Sequence, residues 1–289
     1  MIEHPVVFQC QGLHLVGVVT VPETPADTAV LIVVGGPQYR AGSHRQFVQL
    51  ARQAAAHGFA AMRFDTRGMG DSAGTQRSFE EIDDDLAAAI DALQRAVPSV
   101  RRVGLWGLCG GASAALLYCR KNRDQRVAGL ALINPWVRSE TTQALTRVKH
   151  YYVQRLLQAQ FWKKLFSGRV ALTAIKELLG SVRIAVGSAV RPAGRRVTPS
   201  SALERRMAEG LANHSGEVLI VLSGNDYTAK EFLEAVSLDS LWQAQLARQR
   251  LTRLDIEEAD HTFSQAEWQE KAEAAGVEWL GRLAVSAKG

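Results

Sequence analysis

A chain of 289 residues, 47% hydrophobic and 22% charged, is long enough to bury a large core and too apolar to be disordered. Its net charge of +5 is concentrated in one place: between Arg138 and Ser215 fourteen Lys and Arg stand against four Asp and Glu, so the remainder is acidic overall. No stretch is apolar enough to span a bilayer, and Met1-Ile2-Glu3-His4-Pro5 lacks a basic segment running into an apolar one. The three cysteines, Cys10, Cys109 and Cys119, have neither disulfide-framework nor metal-ligand spacing, so the expectation is a cytoplasmic protein that uses no metal and no cofactor.

In chain order, Pro5 to Val21 alternates apolar and polar residues around Gln11-Gly12, which predicts an antiparallel hairpin. Ala29 to Val34 is continuously apolar, as a strand buried on both faces would be, and it ends in Gly35-Gly36-Pro37-Gln38-Tyr39-Arg40. Phe47, Leu50, Ala51 and Ala54 then recur at helical spacing, with His44 at the helix start. Phe59 to Phe64 is a second buried strand, running into Asp65-Thr66-Arg67-Gly68-Met69-Gly70-Asp71-Ser72, where a pairing of Asp65 with Arg67 is expected to fix the loop. Ser78-Phe79-Glu80-Glu81 is a capping box ahead of the stripe Ile82, Leu86, Ile90, Leu93 and Val97. Asp83-Asp84-Asp85 fits a solvated first turn favoured by the helix dipole better than a metal site. Val103 to Trp106 and Val127 to Ile133 are two more buried strands, the second closed by Asn134-Pro135-Trp136.

This alternation of strands and helices predicts an α/β fold with a mostly parallel central sheet and helices on both faces, its first part at residues 1–135. From 136 to 214 the pattern turns helical and basic, with Tyr151, Tyr152, Phe161, Trp162 and Phe166 along it. The core pattern resumes over 215–289 with strands at Val218 to Leu222 and Leu251 to Ile256, then a helix containing Trp268, Val277, Leu280 and Leu283.

Chemistry is expected at the carboxyl edge of the sheet, where open α/β sheets place their sites. Gly107-Leu108-Cys109-Gly110-Gly111 joins a buried strand to a helix through a tight turn, the setting of a nucleophile elbow with Cys109 at its centre. Such a turn aims the Gly110 N–H at the same space, and the glycine-rich loop at Gly35 offers Gln38 as a second oxyanion donor. A buried Cys in a small-residue packing site is the plainer reading of this motif alone. Asp226 and His261 each follow a later predicted strand, in the chain order nucleophile, acid, base; Asp260 is the rival acid, next to the base. Cys10 and Cys119 read as packing residues.

These motifs together resemble an α/β-hydrolase with a helical cap inserted between core strands. The stretches Gly35 to Phe47 and Asp65 to Ser72 are similar to the exosortase A system-associated hydrolases, type 1. The resemblance implies Cys109 as nucleophile where most of the superfamily has Ser, His261 as base and Asp226 as the carboxylate that orients it. It also implies a setting in exopolysaccharide and protein-sorting loci. Dienelactone hydrolases and polyhydroxyalkanoate synthases of the same superfamily use Cys there. Gly36, Tyr39, Trp136, Tyr151 and Trp162 are the expected substrate-binding residues, although aromatics at helical spacing in the cap equally serve packing. The expected reaction is hydrolysis of a small acyl ester or thioester through a covalent acyl-enzyme. An acyltransferase with the same triad and a non-catalytic binding protein are the alternatives. The basic cap reads as a solvated face, or as an attractor of an anionic substrate or a membrane surface; no nucleic-acid motif accompanies it.

Overall fold

In the computed structural model, described over residues 1–36, 38–137 and 202–285, eight strands form a single sheet. They are β1 (Ile2–Cys10), β2 (Leu13–Val21), β3 (Thr28–Val33), β4 (Ala60–Phe64), β5 (Arg102–Leu108), β6 (Val127–Ile133), β7 (Glu217–Ser223) and β8 (Leu251–Ile256), in the spatial order β1-β2-β4-β3-β5-β6-β7-β8. The hairpin of β1 and β2 joins β4 antiparallel, and every pairing from β4 to β8 is parallel. The fold is therefore the expected α/β arrangement. The parallel strands are the apolar runs of the sequence, and β3, β4 and β6 are buried almost throughout because helices cover both faces.

The helices are α1 (Gln46–Ala56), α2 (Asp83–Ala96), α3 (Gly110–Lys121), α4 (Ala202–Asn213), α5 (Tyr227–Leu238), α6 (Ser240–Leu246) and α7 (Ala266–Val285). Phe47, Leu50 and Ala54 of α1 and Trp279, Leu280 and Leu283 of α7 pack with Ile32, Trp106, Ile133 and Val221 into one core. Successive residues of a strand face opposite ways. Leu31, Leu105 and Leu132, equally buried, belong to the other face, where α3 lies on β5 and β6 and touches α2.

Some local expectations change. The capping box at Ser78 and Glu81 is present, but it opens a 3-10 turn, Phe79–Glu81, and α2 begins only at Asp83. Helices α5 and α6, which carry no marked apolar stripe in the sequence, start at Asp226 and Asp239, whose carboxylates each accept two N–H groups of the first turn.

One compact unit joins Met1–Val137 to the chain from Arg205 onward. In it α4, at the end of the basic segment, buries Met207, Ala208 and Leu211. It runs so close to α3 that a Cβ on Gly210 would stand 1.9 Å from the Leu116 carbonyl oxygen. Residues 138–201, the bulk of the basic segment expected at 136–214, lie outside the described residues, and Tyr151 and Trp162 with them. Among the described residues no helix is long and apolar enough to cross a membrane.

Candidate active site

Cys109 occupies the junction of β5 and α3 with φ 56° and ψ −121°, a conformation that costs a non-glycine residue energy and is held by its surroundings. Close backbone contact does the holding. A Cβ on Gly107 would stand 2.4 Å from the Gly111 carbonyl carbon, one on Gly111 2.1 Å from the Val33 carbonyl oxygen, and one on Gly35 2.2 Å from the Gly111 nitrogen. Any side chain at these three positions would force β3, β5 and α3 apart. The Cys109 N–H donates to the Ile133 carbonyl at 2.8 Å, and its own carbonyl accepts from Ala112 and Ser113 of α3 and from Trp136.

His261 stands in the loop after β8, and its Nδ1 donates to Asp226 Oδ2 at 2.8 Å. The ring is also near enough to Cys109 for the two side chains to interact. The bond to Asp226, and then the interaction with Cys109, raise the His261 pKa from 6.5 to about 10 against the opposing effect of burial, so the ring holds its proton well past neutrality. Asp226 follows β7 and is also the N-cap of α5, where the N–H groups of Thr228 and Ala229 fix its carboxylate. The rival acid, Asp260, is occupied elsewhere, accepting from the N–H groups of Thr262 and Ser264 and so shaping the His261 loop. Three residues from the ends of three strands thus meet, His261 bonded to Asp226 and interacting with Cys109. Burial pushes the other two thiols, Cys10 and Cys119, each up to about 12, helped at Cys10 by Asp85.

The remaining sequence-derived candidates are distributed around this chain. Gly110 is the first residue of α3, where a helix leaves its N–H groups free of intrahelical partners. A Cβ there would meet the Gly36 nitrogen at 3.5 Å and Phe79 at 3.4 Å, so the glycine-rich loop and the elbow are neighbours. The Gln38 N–H, however, donates to the Gly36 carbonyl at 2.8 Å, while its buried side-chain Oε1 has no hydrogen-bond partner among the described residues. Tyr39 is exposed, its hydroxyl donating to Asp71 and its ring covered by the Arg40 guanidinium at 4.3 Å. Trp136 is half-buried beside the elbow.

Two expectations about carboxylates are corrected. Asp65 does not pair with Arg67: it pairs with Arg40, from both the guanidinium and the backbone N–H, and also accepts from the Asp71 N–H. Arg67 turns instead to Asp85, which also accepts its N–H at 3.0 Å. Asp85 is consequently fully buried rather than part of a solvated turn; Asp83 and Asp84 remain at the surface side of α2, bonded to Lys121 and Gln11. Among the described residues no group of three or more His, Cys, Asp and Glu is placed to hold a metal ion. Sequence reasoning missed Asn134, whose positive φ of 44° and complete burial have no signature in composition.

A mostly parallel eight-stranded sheet with a strained strand-to-helix elbow after β5, an acid after β7 and a histidine after β8 defines an α/β-hydrolase. The chain belongs to the Hydrolase_4 family, serine aminopeptidase S33, whose model matches residues 25–178. The family description names a serine; the elbow here carries Cys109. No curated protein matches the sequence. Among solved structures the chain is similar to the Pyrococcus furiosus esterase Pf2001, at 15% identity and a TM-score of 0.65 over 97% of this chain and 91% of that one. It is similar to the α/β-hydrolase GrgF from Penicillium sp. sh18, at 15% and 0.63 over 99% and 100% of the two chains. It is also similar to Est1E from Butyrivibrio proteoclasticus, solved with ferulic acid, at 14% and 0.60 over 96% and 99%.

Proposed function

We propose that the protein hydrolyses a carboxylic ester or thioester with Cys109 as nucleophile, His261 as acid and base, and Asp226 as the carboxylate that orients and charges the ring. The observation that carries this reading is the His261 ring bonded to Asp226 at 2.8 Å and interacting with Cys109, a residue held at φ 56°. The esterases among the structural neighbours support the class of reaction. His261 supplies the proton of the reaction, and Cys109 attacks in its thiolate form.

The thiolate attacks the acyl carbon and forms the S–C bond, and the carbonyl oxygen becomes an oxyanion that the Gly110 N–H receives. Collapse breaks the bond to the leaving alcohol or thiol, which takes the proton from His261. A water then returns a proton to His261, its hydroxide attacks the thioester carbon, and collapse releases the acid and restores the thiolate and imidazolium. The second oxyanion donor in this reading comes from Gln38, whose N–H must leave the Gly36 carbonyl to serve.

Because the intermediate is a thioester, it stays activated toward amines and alcohols, and transfer to such an acceptor is the second reading that Cys109 favours. Cell-envelope or exopolysaccharide chemistry, the setting of the exosortase A system-associated hydrolases, type 1, is the context we assign to either reaction. The surplus of Lys and Arg between Arg138 and Ser215 is assigned to attracting an anionic acyl substrate or a membrane surface. Two measurements test the proposal. Iodoacetamide is expected to abolish turnover of a small activated ester, as is Cys109→Ala, whereas Cys119→Ala keeps it; turnover by Cys109→Ala at the parent rate would overturn the triad. Turnover of anionic esters is expected to fall with salt while that of neutral ones holds, and equal, salt-insensitive rates would remove the steering role.

A further inference from the structure

Three residues at the end of β6 and just beyond it, Ile133, Asn134 and Trp136, bind both halves of the reacting pair. On one flank, Ile133 accepts the Cys109 N–H at 2.8 Å, and the Trp136 N–H donates to the Cys109 carbonyl at 3.3 Å. Ser113 of α3 adds a hydroxyl bond to the Trp136 carbonyl at 2.6 Å. On the other flank Asn134, 0% exposed, donates its N–H to the Val221 carbonyl of β7 at 3.0 Å. Its side-chain Oδ1 accepts the Ser223 N–H at 2.8 Å, and its Nδ2 donates to Ser223 Oγ at 2.9 Å and to the backbone carbonyl of His261 at 3.2 Å.

This side chain is unusual in what it joins. The Ser223 N–H fixes the amide orientation, because a flipped amide would set donor against donor. Both amide hydrogens and the oxygen are then used, which makes a satisfied, rigid buried network. The φ of 44° turns the chain out of β6 so that the amide faces β7 and the His261 loop, and Asn tolerates this conformation better than most residues. The bond is made to the backbone of His261 and leaves its ring free for Asp226 and Cys109.

We infer that Asn134 is a positioning residue: through the His261 carbonyl on one side and the Ile133–Trp136 turn on the other, it sets the separation of the His261 ring from the Cys109 sulfur. The inference rests on the reading of Cys109 and His261 as nucleophile and base. Removing the Asn134 side chain releases the His261 loop from the elbow without removing either reacting residue. Displacements near 1 Å in such a pair cost on the order of 100-fold in rate.

The test compares the parent with Asn134→Gly, which keeps the positive φ, and with Asn134→Asp, which keeps the acceptor for Ser223 but loses the donor to His261. Both variants are expected to lose about 10- to 100-fold in kcat for a small activated ester with KM within about twofold. The pH profile of Cys109 alkylation by iodoacetamide is expected to shift in both, because the thiolate is no longer held against the imidazolium. Parent kcat and an unchanged alkylation profile in both variants, with or without a lower melting temperature, would overturn the inference and leave Asn134 a stability residue. That result alongside an inactive Cys109→Ala defeats the inference alone. Parent turnover by Cys109→Ala defeats the reading beneath it.

Discussion

Asp65 and Asp226 are both buried carboxylates just past the carboxyl end of a parallel strand, at 0% and 7% exposure, and they are used in opposite ways. Each accepts backbone N–H groups that fix its rotamer, from Arg40 and Asp71 at Asp65 and from Thr228 and Ala229 at Asp226. The difference lies in the partner. Asp65 faces the Arg40 guanidinium, a permanent charge that is not given up at any working pH. Asp226 faces His261, whose ring is 31% exposed and can gain or lose a proton. A fixed cation makes a clamp, here on the loop that begins at Gly35. A titratable cation makes a site. Burial and hydrogen bonding of a carboxylate therefore do not distinguish structure from catalysis; the protonation chemistry of what it touches does.

Exchanging the two acids for amides tests that distinction. Asp226→Asn is expected to fold and to lose about 10,000-fold in kcat, because the amide no longer selects the His261 tautomer or its charge. Cys109 remains open to alkylation in that variant. Asp65→Asn is expected to show the reverse, a loss of about 1 to 3 kcal/mol in stability, since Arg40 loses its buried partner and keeps only the ion pair with Asp71. Turnover per folded molecule should fall far less than in Asp226→Asn. Chemical denaturation alongside steady-state kinetics separates the two, and a dead but fully stable Asp65→Asn would erase the contrast.

Proton linkage gives a smaller and sharper difference. The unfolded His261 titrates near 6.5 and the folded one near 10, so the folded state favours the proton. The stabilisation from the pair is complete below pH 6.5 and drains away as pH rises from 6.5 through about 10. The parent is therefore expected to lose stability across that window, and Asp226→Asn to lose less. The alkaline limb of kcat/KM is expected near pH 10 in the parent and at lower pH in Asp226→Asn. Smallest of all, Cys119→Ala is expected to leave the extent of alkylation at pH 8 unchanged, since burial pushes the Cys119 thiol up to about 12. Peptide mapping of the alkylated protein checks this.

The site is more legible in the sequence than the clamp, for physical reasons. Cys109, Asp226 and His261 each follow an apolar run, and a parallel sheet collects the ends of such runs at one edge whatever separates them in the chain. The partner of Asp65 has no such rule. Arg67 is two residues away and Arg40 twenty-five, yet Arg67 is turned toward Asp85 and Gln11, and only the register of β3 beside β4 brings Arg40 within reach. Asn134 is hidden for a related reason, because a positive φ and a three-way amide bond are set by the neighbouring strands. Helix α5 is legible after all: Asp226 ahead of Tyr-Thr-Ala is a sound N-cap, and one carboxylate serves both the helix and His261.

The central claim is that the elbow carries a working cysteine. Acid-quenching the protein during turnover of an activated ester, followed by intact-mass and peptide mass spectrometry, tests it directly. The account predicts an acyl group in thioester linkage on Cys109, absent from Cys109→Ala; turnover with no adduct on Cys109, or with the acyl group on another residue, would contradict it.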